Sequence, residues 1–441
     1  MQTTHDARIW RPQGWCRGAL PGVHAGEAPP RAIPGIANLH SHAFQRAMAG
    51  MAERRTQLPG GAAGAHDSFW TWRETMYRFA ARFTPETLHA VAAQLYAEML
   101  ESGYTTVCEF HYLHHAADGS VHADPAAMSR ALIAAAQETG VRLTLLPVLY
   151  MSGGFDGRAL DPRQRRFAHG VEDYLRLLDT LRAAQHDTLR IGCALHSLRA
   201  VPPEAMREVL GALPGDSRVH IHIAEQTGEV DECIALRGAR PVQWLLDNAP
   251  VDERWTLVHA THVDSDELHG VARSGATVAI CPTTEANLGD GLFPLRAYLD
   301  AAGRWGIGSD SNSSVSPVEE LRWLEYGQRL ATHRRNVAIV APTNSVGESL
   351  LHGVVRSAAV STAQPVDPDA SADFLVLDTD AAQFAGACDG DAVDRWLFSG
   401  NRPLVRETWV DGRRVVDHGR HVDQHAIAAR YREAMRVLLK D

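Results

Sequence analysis

Eight short β-rich runs recur along the chain, most of them followed by a longer helical stretch, and this alternation limits the fold more than any other feature. The runs cover residues 36–42, 105–112, 142–150, 190–196, 219–224, 256–262, 276–282 and 305–310. Helical patterns lie between them, among them 125–139, 170–184, 203–213, 265–274 and 292–302, with a pair at 68–82 and 85–102 after the first run. Strands separated by helices pair in parallel, since a crossover of that length brings the chain back in the same direction. Eight such units predict a closed (β/α)8 barrel of the TIM type. The rival, an open doubly wound sheet, calls for a glycine-rich nucleotide loop after an early strand, and the sequence has none.

The 441 residues exceed one small core and suit a barrel plus a smaller domain. After Pro317 the pattern is helical to about residue 360, and turn residues then break it at 365–372. Residues 373–377 read as a strand, and 406–410 with 413–416 as a hairpin around Asp411-Gly412. An amphipathic helix closes the chain at 424–439. Residues 1–33, rich in Pro, Gly and Arg with one short strand near 7–11, do not make a domain alone. The expected organisation is a barrel over 34–362 and a small β-domain built from 1–33 and 363–441, the latter part carrying the terminal helix. The shortness of the leading segment predicts a pared-down β-domain.

Charge and cysteines narrow the setting. A formal charge of −10 argues against a nucleic-acid binder. Six cysteines are scattered without a C-x-x-C pair, which reads as reduced thiols. No apolar run approaches the roughly 20 residues that span a bilayer, and the N-terminus lacks the order of a signal peptide. The expectation is a cytoplasmic protein with no membrane partner.

In such a barrel the working residues sit at the C-terminal strand ends. The first run ends in His40-Ser41-His42. Alternate residues of a strand share a face, so both imidazoles reach one point. The fifth run carries His220 and His222, with Glu225 at its end; the sixth carries His259 and His262; the eighth ends in Gly308-Ser309-Asp310-Ser311-Asn312. Three histidines and an aspartate converging at the mouth suit Zn²⁺, with Fe²⁺ or another divalent ion also possible. His220 and His262 read equally well as packed core histidines.

These motifs resemble the amidohydrolase superfamily over nearly the whole chain. Its two-metal members bridge the ions with a carboxylated lysine on the fourth strand. Lys440 is the only lysine among 43 basic residues, so the resemblance implies the one-metal branch of purine, pyrimidine and amidine deaminases. The segments 39–46, 222–226, 281–289 and 308–312 are together similar to the formimidoylglutamate deiminases (N-formimino-L-glutamate iminohydrolases) of histidine degradation. That resemblance implies one divalent ion held by His40, His42, His222 and Asp310. It implies that Asp310 takes a proton from the attacking water, Glu225 protonates the leaving nitrogen, and His259 orients the attack and stabilises charge. The substrate would be a small dianionic amidine, the products N-formyl-L-glutamate and ammonia, and the assembly a homodimer. Arginine binds carboxylates bidentately; Arg73 and Arg199 are expected to hold the two carboxylates, with Gln45, Tyr112 and His196 as hydrogen-bonding partners. One alternative is another one-metal deaminase acting on a purine, pyrimidine or triazine ring, which would want aromatic or amide contacts instead of two arginines. Another is a barrel that binds an anion without turnover, which would be expected to lose a ligand or Glu225. Thr283, Glu285 and Asn287 after the seventh run line the pocket or orient loops, and their roles stay open. His111, His114, His115 and His122 form a loop expected to cap the site.

Overall fold

The structure is a computed structural model that describes residues 4–23, 29–54, 69–365 and 372–440. Three strands lead the chain: β1 (Thr4–Arg11), β2 (Gly14–Pro21) and β3 (Arg31–Pro34). The barrel strands follow as β4 (Ile36–Ser41), β5 (Tyr104–His111), β6 (Arg142–Leu149), β7 (Leu189–Ile191), β8 (Cys193–Ser197), β9 (Val219–Ile223), β10 (Trp255–His259), β11 (Thr277–Ile280) and β12 (Arg304–Ile307). They pair in parallel in the order β4-β5-β6-β8-β9-β10-β11-β12, with β7 beside β6. A parallel bridge between Ser41 and Asp310 brings the last strand back to the first. There His42 N–H donates to Asp310 O at 3.0 Å, and Ser309 and Asp310 N–H both reach His40 O at 3.0 Å. The ring therefore closes through the very residues that the sequence marks as chemical.

Nearly every barrel-strand residue is buried, because side chains fill the inside and helices cover the outside. The fourth expected run is split at Gly192. A Cβ there would lie 2.6 Å from Leu146 Cδ2 and 3.1 Å from Arg218 O, so only glycine allows that approach. The helical stretch after Pro317 divides into Pro317–Thr332 and Val346–Thr362. Short helices at Pro241–Asn248, Pro282–Leu288 and Ala392–Phe398 carry too few turns to show a period in the sequence. Among the described residues, no helix is long and apolar enough to cross a membrane.

The second sheet joins both ends of the chain. With β13 (Phe374–Leu377), β14 (Val405–Val410), β15 (Arg413–Asp417) and β16 (Arg420–His421), its order is β16-β15-β14-β13-β3-β1-β2. The hairpin at Asp411-Gly412 forms as its turn chemistry predicts, with φ of 53° and 70°. The sheet is fuller than the short leading segment suggests: β1 and β2 pair over their whole lengths. Their polar, arginine-rich run hides the pattern, although Ala7, Ile9 and Trp10 are buried. A clamp around the buried Arg142–Asp373 pair ties this sheet to the foot of the barrel. Arg142, first residue of β6, donates from Nε to Asp373 Oδ2 at 2.7 Å, from Nη2 to Asp411 Oδ1 at 2.9 Å, and from Nη1 to Asp187 O at 2.9 Å.

Candidate metal centre and active site

At the mouth, three imidazoles meet edge to edge. His40 Nε2 lies 3.2 Å from His42 Nε2 and 3.0 Å from His222 Nε2. Asp310 Oδ1 is 3.3 Å from His40 Nε2 and 3.2 Å from His42 Nε2. The four donor atoms lie within 4.8 Å of one another, and all four residues are buried. Donors about 2.0–2.1 Å from a tetrahedral ion stand about 3.3 Å apart, so the spacing fits a divalent cation of zinc's size. The far ring nitrogens of His42 and His222 support the same reading. His42 Nδ1–H donates to Phe110 O at 2.8 Å and His222 Nδ1–H to His196 O at 2.9 Å. Each bond fixes the tautomer that turns an Nε2 lone pair inward. Burial holds His40, His42 and His222 below the usual histidine range, with neighbouring imidazoles adding to the effect at His40 and His222. Neutral rings are the form that binds metal.

The backbone beneath the centre is strained. Among the described residues, five of the twelve non-glycine positions with positive φ fall at the mouth: Ala224, His259, Ala260, Asp310 and Asn312. Such conformations cost about 1–3 kcal/mol each and persist where their surroundings dictate them. Here a buried polar lattice does so. Asn38 Nδ2 donates to Ser309 Oγ at 2.6 Å, Ser309 Oγ to Asn312 Oδ1 at 2.6 Å, and Asn312 Nδ2 to His42 O at 3.0 Å. Glu109 holds the turn after β4, accepting from Ser41 Oγ at 2.9 Å and Ala43 N–H at 2.6 Å. Burial lifts its carboxyl to about 8.

His259 stands beside the centre. Its Nε2 is 3.8 Å from Glu225 Oε1 and 3.9 Å from Asp310 Oδ2, and its Nδ1 donates to Glu285 Oε1 at 3.2 Å. Burial disfavours the charged ring, but Glu225, Glu285 and Asp310 outweigh it and raise His259 to about 10. Burial likewise raises Glu225 to about 7; His259 and Arg199 pull it down, while Asp310 and Glu229 push it up. The cluster thus pairs a ring that keeps its proton with a carboxyl raised toward neutrality, and the carboxyl is the member suited to give up a proton near pH 7.

A cavity of about 130 Å³ opens over these groups. Its walls include all five residues expected to bind substrate: Gln45, Arg73, Tyr112, His196 and Arg199. Gln45 Nε2 donates to Tyr112 OH at 2.8 Å, while its buried Oε1 has no partner among the described residues. Arg73 Nη2 donates to Tyr150 OH at 3.3 Å, and Gln164 Nε2 reaches the same oxygen at 2.9 Å. Tyr150, Tyr77 and Glu229, also in the wall, were not marked by the sequence, because a tyrosine at a strand end or a glutamate in a first helical turn has an ordinary structural use.

The open positions resolve differently from one another. Glu285 points at His259, whereas Thr283 bonds Glu320 and Asn287 bonds Glu53. His220 lies inside the barrel below His222, its Nε2 3.3 Å from Ser361 O, and is not among the converging donors. His262 is also outside that set. His111, His114 and His115 are buried; His114 Nε2 bonds Val148 O at 3.0 Å, and the loop packs against His169.

Comparison with known proteins agrees with this geometry. The amidohydrolase family profile matches residues 31–343. The formimidoylglutamate deiminase of Pseudomonas aeruginosa is 50% identical over 415 residues, covering 92% of this chain and 89% of that one. The 8-oxoguanine deaminase of the same organism is 29% identical, covering 92% and 87%. A crystal structure of an amidohydrolase from Brucella melitensis superposes with a TM-score of 0.90 at 42% identity, covering all of both chains.

Proposed function

The chain belongs to the amidohydrolase family, and from that premise we propose that it hydrolyses N-formimino-L-glutamate to N-formyl-L-glutamate and ammonia in histidine breakdown. The observation that carries this reading is a one-metal donor set with a titrating acid beside it, under a pocket walled by two arginines. His40, His42, His222 and Asp310 hold one divalent ion, with zinc favoured by three imidazoles and one carboxylate. When bound, the ion supplies a water acidified toward neutral pH.

The chain's own groups do the rest. Asp310 Oδ2, the oxygen turned toward His259, accepts the proton of the attacking water. His259 Nε2–H, held by the Glu285 bond behind it, donates to the oxygen and stabilises charge at the attacked carbon. Glu225, its carboxyl raised by burial toward neutral pH, protonates the terminal nitrogen so that ammonia leaves. Arg73 and Arg199 bind the two carboxylates, and Gln45, Tyr112 and His196 orient the amidine. A second reading, deamination of a ring, has the 29% identical relative behind it, but two arginines in the pocket wall suit a dianion better. The working form is a homodimer of the cytosol.

The test is ammonia release from N-formimino-L-glutamate by zinc-loaded protein, with product analysis. Formylglutamate is the expected co-product. Glu225→Gln is expected to lower kcat by about 10²–10⁴-fold with zinc retained, and Arg199→Ala to raise KM with a smaller change in kcat. Turnover of a purine in preference to this substrate would overturn the assignment.

A further inference from the structure

A second group of donors adjoins the metal centre, and one of its members, Cys281, has no use in the reaction above. The Cys281 thiol, a ring nitrogen of His259 and a carboxylate oxygen of Asp310 lie within 4.8 Å of one another, and all three residues are buried. Asp310 faces two ways: Oδ1 toward His40 and His42, and Oδ2 toward His259 Nε2 at 3.9 Å. Glu225 Oε1 stands 3.8 Å from the same Nε2.

The support behind His259 is the independent sign. Its Nδ1 donates to Glu285, which also accepts from Cys281 N–H at 2.9 Å. A carboxylate behind an imidazole fixes the tautomer and makes the opposite nitrogen a better ligand, which is how metal-binding histidines are commonly held. Of the histidines around the centre, His42 and His222 have backbone carbonyls in that role. His259 alone has a carboxylate.

We propose that His259, Cys281 and Asp310 form a second, inhibitory cation site for a thiophilic divalent ion such as Cd²⁺ or excess Zn²⁺, with Asp310 bridging it to the three-histidine centre. The thiol sets the selectivity: sulfur favours zinc-group ions over Mg²⁺, Ca²⁺ or Mn²⁺. On binding, a metal–sulfur bond forms and the thiol proton passes to solvent, as does any proton on the His259 nitrogen that binds the ion. Occupation engages His259 and Asp310, the residues that orient and deprotonate the water, so turnover stops while the substrate pocket stays open. The inference rests on the one-metal reading of His40, His42, His222 and Asp310.

The experiment uses protein carrying Cys16→Ser and Cys388→Ser, which removes the two exposed thiols, loaded with zinc and titrated with Cd²⁺. Zinc content is counted first: absence of bound zinc overturns the one-metal reading, and this inference with it. The expected result is one retained zinc plus one cadmium, a thiolate-to-cadmium ultraviolet band, and turnover reduced roughly ten-fold or more. Adding Cys281→Ala or Cys281→Ser should abolish the second ion and the band. The ratio of turnover with and without cadmium should then return close to one. If neither cysteine variant folds, His259→Gln, read by metal count and absorbance alone, should lose the second ion. Cadmium replacing zinc at constant stoichiometry, cadmium bound without the band, or a band that survives loss of Cys281 would each overturn the site.

Discussion

Two buried polar clusters lie at opposite ends of the barrel, and they are solved in opposite ways. At the foot, Arg142 meets Asp373, Asp411 and a backbone carbonyl, and Asp373 Oδ1 also accepts from Asp411 N–H at 2.9 Å. Every donor there faces an acceptor. At the mouth, His40, His42 and His222 turn their Nε2 atoms toward one another at 3.0–3.2 Å, and Asp310 adds an oxygen to the same point. Fixed tautomers on His42 and His222 aim two lone pairs at His40 Nε2, and a single ring hydrogen there satisfies only one of them, so a cation is what completes the site. A cluster that completes itself serves the fold; a cluster completed only by something from outside serves chemistry.

The largest effect should come from removing one donor at the mouth. His222→Ala is expected to lose stoichiometric zinc and with it essentially all turnover, while thermal stability without metal changes little or rises, since one of the two lone pairs aimed at His40 Nε2 is gone. Metal analysis and a melting curve in chelator check this. A sharp loss of apo-state stability would mean that the mouth, like the foot, is a self-sufficient structural cluster.

The two clusters also differed in how far the sequence revealed them. His40-x-His42, His222, His259 and Asp310 were legible because strand ends can be counted and alternate residues share a face. Glu225 followed from its place three residues past His222. Glu285 stayed open because it sits on the short helix Pro282–Leu288, where no periodicity says which way a side chain points. Glu109 and Asn38 look in sequence like strand residues; the pairing of β4 with β5 brings Glu109 to Ser41, and barrel closure brings Asn38 to Ser309. Of the fold, the eight units and the Asp411-Gly412 hairpin carried local signals. The β1–β2 pair did not, and neither did the Arg142–Asp373 contact, whose partners lie 231 residues apart.

A mid-sized effect should come from the foot. Arg142→Met leaves Asp373 buried without its cation, and breaking such a pair costs about 3–5 kcal/mol. The expected result is a lower midpoint in urea with zinc content and KM unchanged. A double change, Arg142→Met with Asp373→Leu, should recover much of the loss, because an apolar pair removes the stranded charge. Loss of zinc in the single variant would show that the two ends of the barrel are coupled, which the contrast between them excludes.

The smallest effect separates two histidines on one face of one strand. His222 belongs to the mouth; His220, two residues earlier, is wholly buried one layer below and bonds Ser361 O. Burial lowers His220 to about 4, and Arg218 adds to this, against the hydrogen bond that raises it. In the unfolded chain the ring titrates near 6.5. Between those values the unfolded state binds the extra proton, so stability from this ring is full above about pH 6.5 and falls as pH drops toward 4. The slope is at most about 1.4 kcal/mol per pH unit. Gln at this position cannot titrate but can still donate to Ser361 O. His220→Gln should therefore be least stable relative to the parent at pH 7, with the gap narrowing steadily as pH falls to 4.5 in urea melts. A gap independent of pH would mean that His220 takes up a proton as readily in the folded barrel as in the unfolded chain, so that burial does not hold the ring neutral.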